Sequence, residues 1–146
     1  DDPLCNMQLH DDNYNADNED SMRGMDCIVI VFSVKDKNSF STAVRMLQSE
    51  TNERSDCSLL LVGTQIDDTD NREITKERGQ GLAQQYSDGR EHNIHYLEVS
   101  AKTGQNIKEL KAHLARMVRE KYLNTPTVAE QKENDDIEPQ KSCVMM

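Results

Sequence analysis

The chain has 146 residues, with 27 acidic against 17 basic side chains and a formal net charge of −10. That length supports one domain with a real core and not two comfortable ones. The charge excludes nonspecific attraction to DNA, RNA or a bare anionic membrane, so no nucleic-acid partner is expected. Cys5, Cys27, Cys57 and Cys143 form no C-x-x-C pair and have no His at ligand spacing. A zinc site or disulfide framework is therefore not expected, and the cysteines fit a reducing, cytosolic compartment. No apolar run reaches the roughly 20 residues of a membrane helix, and the acidic N-terminus does not resemble a signal peptide. Because the first residue is Asp1, the sequence reads as starting inside a longer translation product.

Leu4–Leu9 alternates in a strand-like way, and the following Asp11–Asp20 is too acidic and Asn-rich to bury much, so a loop is expected there. Asp11, Asn13, Asn15, Asp17 and Glu19 imitate the first ligand positions of a calcium loop. Ala16 stands where that loop needs Gly and Met22 where it needs its final Glu, so a solvated acidic loop is the better reading. Cys27–Val34 is a continuous apolar, β-branched run and predicts a buried strand covered on both faces. Phe40, Val44 and Leu47 recur at helical spacing and predict a helix over about Ser39–Gln48, with Asn38 and Ser39 able to cap it.

Leu59–Gly63 predicts a second core strand. Ile74, Leu82, Ala83 and Tyr86 predict a second helix, weakened by Gly79 and Gly81 at about 1 kcal/mol each relative to Ala. A third strand is expected at His95–Val99. Ile107, Leu110, Leu114, Met117, Val118 and Tyr122 make one apolar stripe over about Gln105–Lys121, the clearest helix of the chain. This alternation implies an α/β fold, an open and mostly parallel sheet with flanking helices. Pro126, Pro139 and the charged run Glu130–Glu138 predict a disordered tail over residues 123–146, leaving a domain over 1–122 in which 11–25 is a divergent loop.

In a parallel sheet, ligands bind outside the carboxyl ends of the strands. Two informative segments lie there: Thr64-Gln65-Ile66-Asp67 after one strand and Ser100-Ala101-Lys102 after the next. With these residues the chain resembles the Ras superfamily of small GTPases over roughly residues 4–146. Leu61-Val62-Gly63-Thr64-Gln65-Ile66-Asp67 looks most like the Rho branch, and Glu98-Val99-Ser100-Ala101-Lys102-Thr103-Gly104 is common to many branches. The resemblance implies a membrane-associated signalling switch that binds GTP or GDP with Mg2+. It implies that Asp67 accepts two hydrogen bonds from guanine N1 and the exocyclic amino group, where adenine has no donors. Gln65, where most relatives have Lys, would lie against the base plane, and Thr64, in place of the usual Asn, would tie the loop together. Ala101 would offer its backbone N–H to guanine O6, Ser100 would brace Asp67, and the stem of Lys102 would pack on the ring.

The sequence departs from the family in ways that bear on activity. No G-x-x-x-x-G-K-[ST] phosphate loop occurs in it. The family's Asp-x-x-Gly-Gln corresponds to Asp11-Asp12-Asn13-Tyr14-Asn15, in which Tyr14 replaces the flexible Gly and Asn15 the Gln that orients water. No catalytic residue is therefore assigned, nucleotide binding and hydrolysis are expected to be impaired in the chain as it stands, and Mg2+ is expected only with the missing N-terminal part. In the family, the strand before the phosphate loop lies between the strands represented by Leu4–Leu9 and Cys27–Val34. Either the chain is a fragment or Leu4–Leu9 shifts to fill that gap.

Cys143-Val144-Met145-Met146 matches the C-a-a-X prenylation signal, and the final Met favours farnesyl. A single lipid beside an acidic tail predicts reversible membrane association rather than stable anchoring. Family partners implied are guanine nucleotide, effector and regulatory proteins, a prenyltransferase and a membrane contacted through farnesyl, with the protein itself a cytoplasmic monomer. The alternative is a non-catalytic Ras-like module for protein interaction.

Overall fold

The computed structural model describes residues 6–9, 25, 27–53, 57–87, 93–124 and 142–145. The acidic loop over 11–20, with Asp11, Tyr14 and Asn15, and the charged run over 130–138 lie outside the described residues. Eight elements follow in chain order: β1 (Asn6–Leu9), β2 (Cys27–Ser33), α1 (Lys37–Glu53), β3 (Ser58–Thr64), α2 (Lys76–Ser87), β4 (His95–Glu98), α3 (Ile107–Asn124) and β5 (Ser142–Met145). All strands pair in parallel in one sheet of order β1-β5-β2-β3-β4.

β2 and β3 are apolar throughout because both of their faces are covered. Ile28, Ile30, Phe32, Leu59 and Leu61 pack on one side with Phe40, Ala43 and Leu47 of α1 and Leu82 and Ala83 of α2. Cys27, Val29, Leu60 and Val62 pack on the other with Leu114 and Met117 of α3. The period-two alternation of side-chain direction in a strand thus feeds two separate cores from the same short segments.

Helix boundaries differ from the sequence expectation for local reasons. α1 begins at Lys37, two residues early, because the Asp36 carboxylate accepts the Asn38 backbone N–H at 2.8 Å and the Asp36 carbonyl accepts the Phe40 N–H at 3.2 Å. Asp36 is therefore the N-cap. Ser39 instead ties the helix to β2, its Oγ accepting the Ser33 N–H at 3.0 Å. Thr75 caps α2, accepting the Arg78 N–H at 3.3 Å. The two glycines of α2 are not equivalent. A Cβ on Gly79 would stand 2.3 Å from Tyr96 Cζ, whereas one on Gly81 would meet nothing within 4 Å. Gly79 lets α2 lie directly on β4.

The far side of the sheet departs from the sequence expectation at a few residues. The sequence predicts a disordered tail over 123–146, of which 123–124 and 142–145 are among the described residues, and leaves the gap beside β2 either to a fragmentary chain or to a shift of Leu4–Leu9. Instead α3 runs on to Asn124, and Ser142–Met145 forms β5 between β1 and β2. Cys143 stands opposite Met7 on one side and Cys27 on the other. The physical reason is the edge of β2, whose backbone groups would be buried and unpaired without a neighbour; the Cys-Val-Met run supplies one.

Candidate functional site

At the carboxyl ends of β2, β3 and β4 the connecting loops form a cleft of about 930 Å³ lined by Ser33, Lys35, Thr64, Gln65, Asp67, Asp68, Thr69, Asp70, Ala101 and Lys102. Five of the residues singled out in the sequence line it: Thr64, Gln65, Asp67, Ala101 and Lys102. The sixth, Ser100, is fully buried beneath it. Cys143 lies elsewhere, in β5.

Two strand ends build the cleft from residues far apart in sequence. Thr64 closes β3 and donates its hydroxyl to the Phe32 carbonyl at 3.1 Å, linking the ends of β3 and β2. Gln65 then turns with φ +64°, a left-handed conformation unusual for a residue with a Cβ. The Ser33 hydroxyl donates to Gln65 Oε1, which fixes the side chain against the end of β2. Asp67 is reached from the neighbouring loop: Ser100 Oγ donates to Asp67 Oδ1 at 2.6 Å and accepts the Thr103 N–H at 3.2 Å. That hydrogen bond is the main reason the Asp67 carboxyl is held below the usual carboxylate range, with the charge of Lys102 contributing.

The loop carrying Ser100 is itself held tightly. The Ser100 N–H donates to the Gln105 carbonyl at 3.1 Å and the Gly104 N–H to the Ser100 carbonyl at 2.9 Å. Gly104 and Asn106 both take positive φ, +78° and +59°, so the turn needs a glycine and an Asn, a residue that tolerates this region. Asn106 donates its amide to the Glu98 carbonyl at 2.8 Å, fastening the start of α3 to the end of β4.

Residues not picked out in the sequence also shape the site. Lys35, after β2, pairs with Asp68 at 2.5 Å, and the Asn71 amide donates to both Asp68 oxygens at 3.0 Å. The Lys35 contact, followed by Asn71, lowers the Asp68 carboxyl to about 2. Below the cleft the Arg72 guanidinium donates to both Glu98 oxygens and, through Nε, to the Ile74 carbonyl at 2.8 Å. The Tyr96 hydroxyl donates to the same Glu98 carboxylate at 2.7 Å. Arg72 comes from the first loop and Glu98 ends β4, two residues before Ser100, so this pair clamps together the strand ends that carry Asp67 and Ser100. Lys35 was findable, because the rule that ligands sit beyond parallel strand ends applies to β2 as well. Arg72 and Glu98 are 26 residues apart, and no local pattern joins them.

Among the described residues no group of three His, Cys, Asp or Glu side chains is placed to hold a metal ion. Nor is any described helix long and apolar enough to cross a membrane.

A parallel sheet with helices on both faces and a polar cleft at its carboxyl edge defines an open α/β domain. Residues 4–120 match the Ras family model, and the chain belongs to the Ras family. It is 34% identical over 102 residues to Ras-related protein SEC4 of Candida albicans, covering 69% of this chain and 46% of that protein. It is 30% identical over 105 residues to Ras-related protein Rab-8B of Dictyostelium discoideum, covering 71% and 49%. It is also 31% identical over 119 residues to the human EF-hand calcium-binding domain-containing protein 4B, covering 78% of this chain and 16% of that one. The chain spans about half the length of the SEC4 and Rab-8B relatives. Their names are those of Sec4 and Rab, whereas the Thr64–Asp67 loop resembles the Rho branch.

Proposed function

We propose that this chain is the guanine-reading part of a Ras-family, GTP- and GDP-binding signalling switch. The observation that carries the reading is the Ser100–Asp67 hydrogen bond, 2.6 Å across two loops, which fixes one carboxylate at the cleft before any ligand arrives. A carboxylate so oriented suits the paired donors of guanine N1 and its exocyclic amino group. Adenine offers no donors there, and an unsatisfied Asp67 would cost about 1 to 3 kcal/mol, a five- to 150-fold preference. Gln65, held by Ser33, and the stem of Lys102 would flank the ring, with the Ala101 N–H directed to O6. Two charge-assisted hydrogen bonds, less the cost of association, give on the order of millimolar affinity for the base alone.

Effectors, regulators and hydrolysis belong to the same reading and depend on parts of the fold outside the cleft. Tyr14 and Asn15, in place of Gly and Gln, favour a second reading, in which the domain binds proteins without turning GTP over. Farnesylation of Cys143 would add reversible membrane association.

Competition binding tests the base site. Labelled GDP bound to the chain should be displaced by GTP far better than by ATP, and Asp67→Asn should abolish the difference while circular dichroism is unchanged. An unaltered preference in Asp67→Asn would remove Asp67 from the role. Absence of phosphate release from GTP by a chain that keeps its guanine preference would select the second reading.

A further inference from the structure

The loop after β3 holds three carboxylates in four residues, Asp67, Asp68 and Asp70, and all three line the cleft with Lys35 and Lys102. Any carboxylate can accept the paired donors of a guanine edge, so residue type alone does not decide which of them reads the base. Hydrogen bonding separates the two neighbours. Asp67 is oriented by Ser100 Oγ at 2.6 Å. Asp68 is engaged on both oxygens: Asn71 Nδ2 donates to each at 3.0 Å, the Asn71 backbone N–H donates to Oδ1 at 3.3 Å, and Lys35 Nζ stands 2.5 Å from Oδ2.

Lys35 is well placed to act on this loop. Its backbone N–H donates to Ser33 Oγ at 3.2 Å, the same hydroxyl that donates to Gln65 Oε1. The Val34 carbonyl between them accepts the Glu73 and Ile74 N–H groups, each at 2.9 Å. The stretch Ser33–Lys35 therefore fastens the loop at its start through Gln65, in its middle through Asp68 and at its end through Glu73 and Ile74. The Lys35 and Asp68 side chains are 33% and 28% exposed, and a pair so exposed adds little to the stability of the fold. Its effect is felt one residue away, where an uncompensated Asp68 would repel the Asp67 carboxylate.

We propose that Lys35 is a specificity-determining positioning residue of the base site: by engaging Asp68 together with Asn71, it takes the second carboxylate out of contention and holds the loop so that Asp67 alone is presented to guanine. The proposal rests on the base-site reading of Asp67 above. It gives a role to a cation that lies in neither of the two segments carrying the base-site residues.

The test measures the affinities of the chain for GMP and AMP by NMR titration. The two ligands carry the same ribose and phosphate, so their ratio cancels any attraction of Lys35 for the anion. The wild-type ratio should favour GMP. Lys35→Met should lower it about two- to fivefold, the range of an exposed charge pair, and Lys35→Arg should keep it. Lys35→Met/Asp68→Asn, which removes the stranded carboxylate along with the cation, should recover most of the loss. The Asp67 carboxylate shifts should titrate at higher pH in Lys35→Met, since Lys102 is then the cation left to oppose the charge of Asp68. Should Lys35→Met lose its circular dichroism, Asn71→Ala carries the same test from the other partner, with a smaller fall in the ratio. A wild-type ratio of one would remove the base-site reading and this proposal with it. A wild-type preference for GMP that Lys35→Met leaves intact would overturn the role of Lys35 alone. A loss that the double variant does not recover would mean that Lys35 touches the ligand itself, which also overturns it.

Discussion

On one side of β2 stand β3 and β4, joined to it by α1 and α2 and cross-braced at their ends by Ser100–Asp67, Arg72–Glu98 and Thr64–Phe32. On the other stand β5 and β1, four residues each, from opposite ends of the sequence. The first side is local in sequence and fixed by side chains at several levels. The second depends on pairing between residues more than a hundred positions apart, where loop closure opposes every contact. A site that must hold one carboxylate in one place is built on the first side.

The largest effect should come from the shared core. Leu61→Ala empties a fully buried position of β3 and should cost about 2 to 5 kcal/mol, read from urea denaturation, with all elements lost in one transition. If the β1–β5 side behaved the same way, Gln8→Pro would lower the global midpoint by a similar amount. The comparison predicts local opening there instead, seen in hydrogen exchange.

Next is the clamp beneath the cleft. Arg72→Met leaves the Glu98 carboxylate, whose side chain is only 9% exposed, without its cation. A loss of about 2 to 3 kcal/mol is expected, since a buried charge stripped of its partner is destabilising. An Arg72→Met/Glu98→Gln double variant should recover part of it. Full additivity in that cycle would show that the two residues do not act as a unit.

The glycines of α2 give opposite signs at close range. Gly79→Ala should destabilise by about 1 to 3 kcal/mol, because its Cβ would collide with the Tyr96 ring, itself stacked on Phe32. Gly81→Ala should stabilise by up to about 1 kcal/mol, as helix propensity acts there without a clash. Melting temperatures of the two variants check both.

The smallest effect is one of pH. His113 on α3 has its Nε2 buried with no hydrogen-bond partner among the described residues, and its ring meets His95 edge to face at 4.7 Å. Burial first, then the charges of His95 and Arg116, lower its pKa from 6.5, while Glu120 and Glu109 act in the opposite direction. The unfolded chain therefore binds the proton more readily than the folded one. Stability should be full above about pH 6.5 and fall as the pH drops toward the folded value, and His113→Phe should flatten that limb. The Lys35–Asp68 contact has the opposite robustness. With the Asp68 carboxyl at about 2, it should persist down to about pH 2, which carboxylate chemical shifts would follow.

Much of the tied side is legible in the sequence because its signals are local. The β2 and β3 runs are apolar on both faces, the α3 stripe has helical period, and the two loops carry small and acidic residues directly after strands. The start of α1 is less legible because Asp36, Asn38 and Ser39 are all capable caps, and only the backbone direction selects Asp36. β5 was not legible. Its four residues follow a charged, Pro-containing stretch, and nothing in them reveals that their partners lie at Asn6–Leu9 and Cys27–Val29. Arg72 was missed for the same reason, as its value comes from Glu98 across the fold.

The phenol of Tyr96 gives the clamp an optical signature. The chain has four tyrosines and no tryptophan, so tyrosine emission is not masked by energy transfer to indole. Burial, then the hydrogen bond to Glu98, pushes the Tyr96 hydroxyl well above the ordinary phenol range, so this ring should remain un-ionised at alkaline pH where exposed tyrosines absorb as phenolate. A phenol donating to a carboxylate is also a weak emitter. Glu98→Gln should therefore brighten tyrosine fluorescence without added label, and a ligand that tightens the clamp should dim it.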